Sequence, residues 1–185
     1  SPMASPSPSI CRWGILGTAT IARRNWQSIR RSGNGIIRAV ASRDATRAAE
    51  WIRECQSGQP FPICPEAVGG YDNLLARDDI DAVYIPLPTG LRKEWVIRAA
   101  QVGKHVLCEK PCGNTASDVE EMIAACHDAR VQFMDGVMFM HGDRLASLRR
   151  LIDDGTTIGA LRHISSQFSF PADDAFLAGG NIRVR

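Results

Sequence analysis

The sequence predicts an α/β chain built on a doubly wound parallel sheet, and three features carry that prediction. Short apolar runs alternate with segments of helical period from Ile10 to Gly136. The first run leads through a glycine turn, Gly17-Thr18-Ala19-Thr20-Ile21-Ala22, directly into a helical segment. The run His-Val-Leu-Cys at 105–108 stops abruptly at Glu109-Lys110-Pro111. In an open parallel sheet such a stop lies where ligands bind, in the crevice beyond the carboxyl ends of the strands.

Taken in order, residues 10–16 (Ile-Cys-Arg-Trp-Gly-Ile-Leu) read as the first strand. The helix after the turn sets Ala22, Trp26 and Ile29 on one face. Strand, glycine turn and helix form the start of a dinucleotide-binding unit, in which a pyrophosphate rests on exposed amides at the helix N-terminus. The spelling here is G-x-A-x-x-A. The last alanine keeps the small residue that helix–strand packing needs, whereas Ala19 brings a methyl to the point of closest phosphate approach.

Residues 36–41 read as a second strand, ending at Ser42-Arg43-Asp44 where an adenosine ribose would lie. Ser42 and Arg43 are suited to donating to a ribose 2′-phosphate, so NADP is favoured over NAD as the cofactor. Asp44 caps the next helix, with Ala45, Ala48, Ala49 and Ile52 along one face. Residues 55–70 are rich in Gly and Pro and read as a loop holding one short strand near Ala67 and Val68. Residues 71–77 form a short helix, and residues 82–85 a compact buried strand that exits through Pro86-Leu87-Pro88-Thr89. Thr89 is placed to cap a helix carrying Val96, Ala99 and Ala100 inward and stopping at Gly103. Glu94 and Arg98 on that helix are one turn apart and form a surface pair.

Beyond the next strand, Lys110 can reach a substrate oxygen or cofactor ribose, Glu109 can hold its ammonium, and Pro111 stiffens the turn. Thr115 starts a further helix with Val119, Met122, Ile123 and Cys126 inward, and residues 131–136 read as a sixth strand. Residues 143–153 read as a helix with Leu145, Leu148 and Ile152 inward. In the following segment Ile164, Phe168 and Phe170 alternate with polar residues as one amphipathic strand.

Composition narrows the function classes. A net charge of +2 with scattered arginines argues against a nucleic-acid partner. No apolar run approaches the ~20 residues of a membrane-spanning helix. The six cysteines, at 11, 55, 64, 108, 112 and 126, show no C-x-x-C pair and no histidine at zinc-like spacing. They predict reduced thiols, no metal site and a cytoplasmic protein. Residues 1–9, made of Ser, Pro, Ala and one Met before Ser9, predict a disordered lead-in rather than a signal peptide.

These motifs together resemble the glucose–fructose oxidoreductase/inositol dehydrogenase group, Gfo/Idh/MocA. The segments that carry the resemblance are Arg12-Trp13-Gly14-Ile15-Leu16-Gly17, Ala41-Ser42-Arg43-Asp44, Ile85-Pro86-Leu87-Pro88-Thr89 and, above all, residues 103–111. Among its members the chain is most similar to the dihydrodiol dehydrogenase-like and plant-type ones. The resemblance implies a Rossmann-like domain over 10–138 and the first helix and strand of an incomplete second α/β domain over 139–185. It implies hydride transfer between a nicotinamide cofactor and a carbonyl/alcohol pair on a sugar, polyol or cyclic diol. By the same resemblance, Gly17, Thr18, Ala19, Thr20 and Ile21 would hold the phosphates, and Leu87, Pro88 and Thr89 would line the nicotinamide side. Lys110 would bond the substrate oxygen with Glu109 orienting it, and full-length relatives would be homo-oligomers.

Three departures stand out. Arg92 occupies a position where the family often has histidine, His141-Gly142-Asp143-Arg144 replaces a His-x-Pro segment, and no downstream Asp-x-Gly segment with a second catalytic group precedes Arg185. A lone strand cannot bury its own apolar face. Residues beyond about Gly155 are therefore expected to be poorly ordered, to lie against the first domain or to self-associate. The competing reading from another class is a non-catalytic nucleotide-binding or protein-interaction module that lends the strand near 161–170 to a partner's sheet. A short-chain dehydrogenase is set aside, because neither Tyr71 nor Tyr84 has a lysine four residues on.

Overall fold

In the computed structural model, which describes residues 9–171, 174 and 178, β1 (Cys11–Leu16) pairs in parallel with β2 (Gly35–Ser42) on one side and β4 (Ala82–Ile85) on the other. β3 (Glu66–Gly69) extends the β2 edge, and β5 (His105–Cys108) and β6 (Phe133–Asp135) extend the β4 edge. The order is β3-β2-β1-β4-β5-β6, all parallel. Chain direction across the sheet reverses between β1 and β4, and a crevice opens at such a switch point. The lead-in expected over 1–9 lies, apart from Ser9, outside the described residues.

Alternation along each strand divides the core between two faces. Ile15, Val40 and Tyr84 point to one side, where α1 (Ala22–Arg31) and α2 (Ala45–Gly58) cover them with Trp26, Trp51 and Ile52. Leu16, Ala41, Val83 and Ile85 point to the other, against α3 (Tyr71–Leu75), α4 (Thr89–Gln101) and α5 (Ala116–Asp128). Trp26 meets Trp51 and Phe61 edge-on at centroid distances of 5.7 and 5.2 Å. Each large side chain so buried stabilises the fold by about 1.5–3 kcal/mol.

Local signals hold where the partner is close in sequence. Asp44 caps α2 by accepting from the Thr46 amide at 2.8 Å. Thr115 and Asp118 form a reciprocal capping box at α5. Arg98 pairs with Glu94 at 3.3 Å.

Several expectations are corrected. The cap of α4 is Pro88, and Thr89 is its first helical residue with no capping bond. On α2 the buried face is Ala48, Trp51, Ile52 and Cys55, while Ala45 is exposed. Ile123 is exposed, and the residues that α5 buries are Met122 and Cys126.

The chain divides into two compact units, the first running to Met138 and the second starting at Phe139. A 3₁₀ turn over Met138–His141 spans the division. In the second unit α6 (Asp143–Asp153) forms as expected, but Leu145 and Leu148 are exposed rather than inward. The strand expected around 161–170 is not formed: residues 161–171 carry neither helix nor strand, and Ile164, Phe168 and Phe170 are exposed. A strand exists only through the ladder it makes with a neighbour, and this segment has none among the described residues.

Candidate active site

At the C-terminal ends of β1, β2 and β4 lies a cleft of about 230 Å³ lined by Gly17, Thr18, Ala19, Ser42, Arg43, Arg47, Tyr71, Pro86, Leu87 and Pro88. Three turns widely separated in sequence, and all flagged in it, meet here because their strands are neighbours. Thr20 and Ile21 complete the first turn without lining the cleft. Thr89, Glu109 and Lys110 also lie outside its lining, on the α4 start and the β5 exit.

Gly17 makes the first turn with φ +105, a conformation side chains rarely adopt. A Cβ there would also come within 3.0 Å of the Leu87 side chain. The Gly17 amide is fixed on the Ala41 carbonyl at 2.8 Å, and the amides of Ala22, Arg23 and Arg24 turn back onto residues 19–21. The amides of Thr18, Ala19, Thr20 and Ile21 have no acceptor among the described residues, and α1 has no side-chain cap. Four adjacent free donors at a helix N-terminus fit a phosphate.

Along one wall, Ser42 is buried at the end of β2, while Arg43 is exposed and has no acidic partner among the described residues. Arg47, one turn into α2, donates from Nε to Thr18 Oγ1 at 3.1 Å and so ties the helix to the glycine turn. Tyr71, held edge-on against Trp95 at 5.0 Å, also lines the cleft.

The Glu109-Lys110-Pro111 turn is built from beneath. Its Lys110–Pro111 peptide is cis. The Glu109 carboxylate is buried; it accepts from the hydroxyl of the fully buried Tyr84 at 2.8 Å and from the Lys110 amide at 3.1 Å. It therefore does not pair with the Lys110 ammonium, as the sequence suggested. It sets the backbone on which Lys110 stands, and the Lys110 side chain is exposed. Burial, and next the Glu109 carboxylate, push the Tyr84 phenol far above its usual range, so it stays a donor. Gly136 packs on this carboxylate, since a Cβ there would stand 3.2 Å from Glu109 Oε2.

Arg92, buried in the first turn of α4, donates from Nε to the Leu87 carbonyl at 2.7 Å and from Nη1 to the carbonyls of Glu109, at 3.0 Å, and Pro111. Cys108 and Cys112 flank the Glu109-Lys110-Pro111 turn, and the Cys108 thiol donates to the Cys112 carbonyl at 3.9 Å. The Cys108 thiol is raised chiefly by its hydrogen bond to Cys112, whose own thiol that bond lowers. Arg47, Tyr71 and Arg92 join the site only through the fold. Arg47 could have been found from its spacing, three residues past the Asp44 cap, which returns it to the same end of the sheet.

The family profile described as "Oxidoreductase family, NAD-binding Rossmann fold" (Gfo/Idh/MocA) matches residues 11–137. The dTDP-3,4-didehydro-2,6-dideoxy-alpha-D-glucose 3-reductase of Streptomyces antibioticus is 38% identical over 167 residues, 90% of this chain and 48% of that protein. The trans-1,2-dihydrobenzene-1,2-diol dehydrogenase of Mus musculus is 33% identical over 180 residues, 92% of this chain and 51% of that protein. Among solved structures, KijD10, a 3-ketoreductase from Actinomadura kijaniata in complex with NADP, superimposes with a TM-score of 0.71 at 33% identity. That alignment covers 82% of this chain and 46% of the other. The chain thus spans about half the length of the curated relatives it matches.

Proposed function

The chain belongs to the Gfo/Idh/MocA oxidoreductase family, and from that premise we propose that it forms the nucleotide-binding part of an NADP-dependent dehydrogenase or reductase. The reaction is hydride transfer between the nicotinamide and a carbonyl/alcohol pair on a small molecule, a sugar, polyol or cyclic diol. The observation that carries this reading is the meeting of residues 17–19, 42–43 and 87–88 around one cleft, with free amides at 18–21.

The bound cofactor supplies the hydride chemistry; the chain supplies alignment and a route for the proton. In this reading the amides of 18–21 take the pyrophosphate. Ser42 and Arg43 grip the 2′-phosphate, the guanidinium by two charge-assisted bonds. Leu87, Pro88 and Thr89 face the nicotinamide. Lys110 bonds the reacting oxygen of the substrate and passes its proton. Glu109 keeps the lysine turn in register. The NADP complex of KijD10 and the sugar and diol substrates named for the two relatives support the assignments of cofactor and substrate class.

In this reading residues 10–138 act as the cofactor domain and 139 onward begin the substrate domain. Six free cysteines support a reducing, cytoplasmic setting. No helix among the described residues is long and apolar enough to cross a membrane. Fluorescence titration with NADPH and NADH tests the proposal. Saturable binding with at least a tenfold preference for NADPH is expected, and binding of neither nucleotide refutes it.

A further inference from the structure

Arg92 has no carboxylate partner among the described residues, although it is only 8% exposed. A buried cation without a counter-ion is costly to keep. What replaces its hydration is three backbone carbonyls: Leu87 at the exit of β4, and Glu109 and Pro111 on either side of Lys110. The guanidinium is planar, with Nε and Nη1 held in one rigid fork. It can therefore fix the distance between two loops in a way that a flexible ammonium or a single imidazole donor cannot.

We infer that Arg92 is the positioning residue of the site: its fork registers the lysine turn against the Leu87-Pro88 wall, and so sets where Lys110 stands relative to bound nicotinamide. This deepens the function proposed above and rests on it for the nicotinamide. The registration of the turn itself rests on the hydrogen bonds alone. Below the turn, Tyr84 and Glu109 fix its height through the Glu109 carboxylate. Arg92 fixes its lateral position through the carbonyls, so the two sets of bonds do not duplicate each other.

The test uses the chain with Arg92→Gln and Arg92→Lys, and two ligands: NADPH and 2′-phospho-ADP-ribose, which lacks the nicotinamide. Three quantities are read: amide hydrogen exchange without ligand, dissociation constants, and the protection NADPH gives Lys110 against an amine-acylating reagent, followed by mass spectrometry. In both variants exchange over 108–113 is expected to quicken at least tenfold while 11–16 and 35–42 stay within twofold. The Kd for 2′-phospho-ADP-ribose should stay within twofold, and NADPH protection of Lys110 should fall at least fivefold. Arg92→Lys keeps the charge but not the fork, so full rescue by lysine overturns the inference. So does unchanged exchange over 108–113, or an equal weakening of both ligands, which marks a general structural role. If Arg92→Gln does not fold, Arg92→Lys carries every comparison. If the unsubstituted chain binds neither ligand, the nucleotide reading fails, and the exchange measurement alone decides for or against Arg92.

Discussion

At the N-terminal ends of the strands, three arginines are paired with carboxylates. Arg12 bonds Asp81 through Nε at 2.9 Å and Nη2 at 2.6 Å. Arg77 clasps Asp79 with two bonds, at 2.8 and 2.9 Å, and Glu66 with a third, while Arg38 adds 3.1 Å to the same aspartate. Lys104, buried, donates to the carbonyls of Arg77 and Ile80. At the C-terminal ends, by contrast, Arg43 and Lys110 are exposed and without an acidic partner among the described residues, and the nearby Glu109 carboxylate is occupied by Tyr84 and a backbone amide. The same residue types thus hold the fold at one edge and stand ready for a ligand at the other. Unpaired charge beside free amides marks the end at which chemistry is expected.

The sharpest way to break this contrast is Lys110→Ala. Hydride transfer, followed by stopped-flow absorbance of NADPH, should slow about a hundredfold or more, with the thermal midpoint within about 1 °C because the side chain is exposed. Arg43→Ala should weaken NADPH by roughly tenfold to a hundredfold, the worth of a charge-assisted contact. It should leave NADH binding and urea stability unchanged; equal weakening of both nucleotides would remove Arg43 from the 2′-phosphate. At the opposite edge, Arg77→Ala should lower the unfolding free energy by about 1–2 kcal/mol in urea titrations and leave the NADPH Kd alone. The smallest effect is in acid. Hydrogen bonds from Arg77 above all hold Asp79 at a pKa of about 2. A carboxylate depressed in the folded state stabilises above its unfolded pKa, so this contribution is complete above about pH 4 and lost as pH falls toward 2. Urea midpoints measured between pH 5 and 2.5 should fall less steeply in Arg77→Ala.

The glycine turn, the Asp44 cap, the Thr115 box and the buried strands were legible in the sequence because each is fixed by residues a few positions apart. The Glu109-Lys110-Pro111 stop was legible as a place, but not as a network. That Glu109 faces Tyr84 depends on β4 and β5 lying side by side. Arg92 stands out in the sequence only as a departure from the family's histidine, and its three carbonyl partners come together only once the exits of both strands are brought under it. The segment around 161–170 misled for the opposite reason. Alternation of Ile164, Phe168 and Phe170 with polar residues describes a strand only if a neighbour supplies the other half of the ladder.

Leu87 has two attachments: its side chain lies 3.0 Å from where a Cβ on Gly17 would stand, and its carbonyl accepts from Arg92 Nε. Enlarging Gly17 therefore displaces a residue bolted to the lysine turn. The penalties of Gly17→Ala and Lys110→Ala should not simply sum, and a thermodynamic cycle over the pair would measure how far the two ends of the cleft act as a single part.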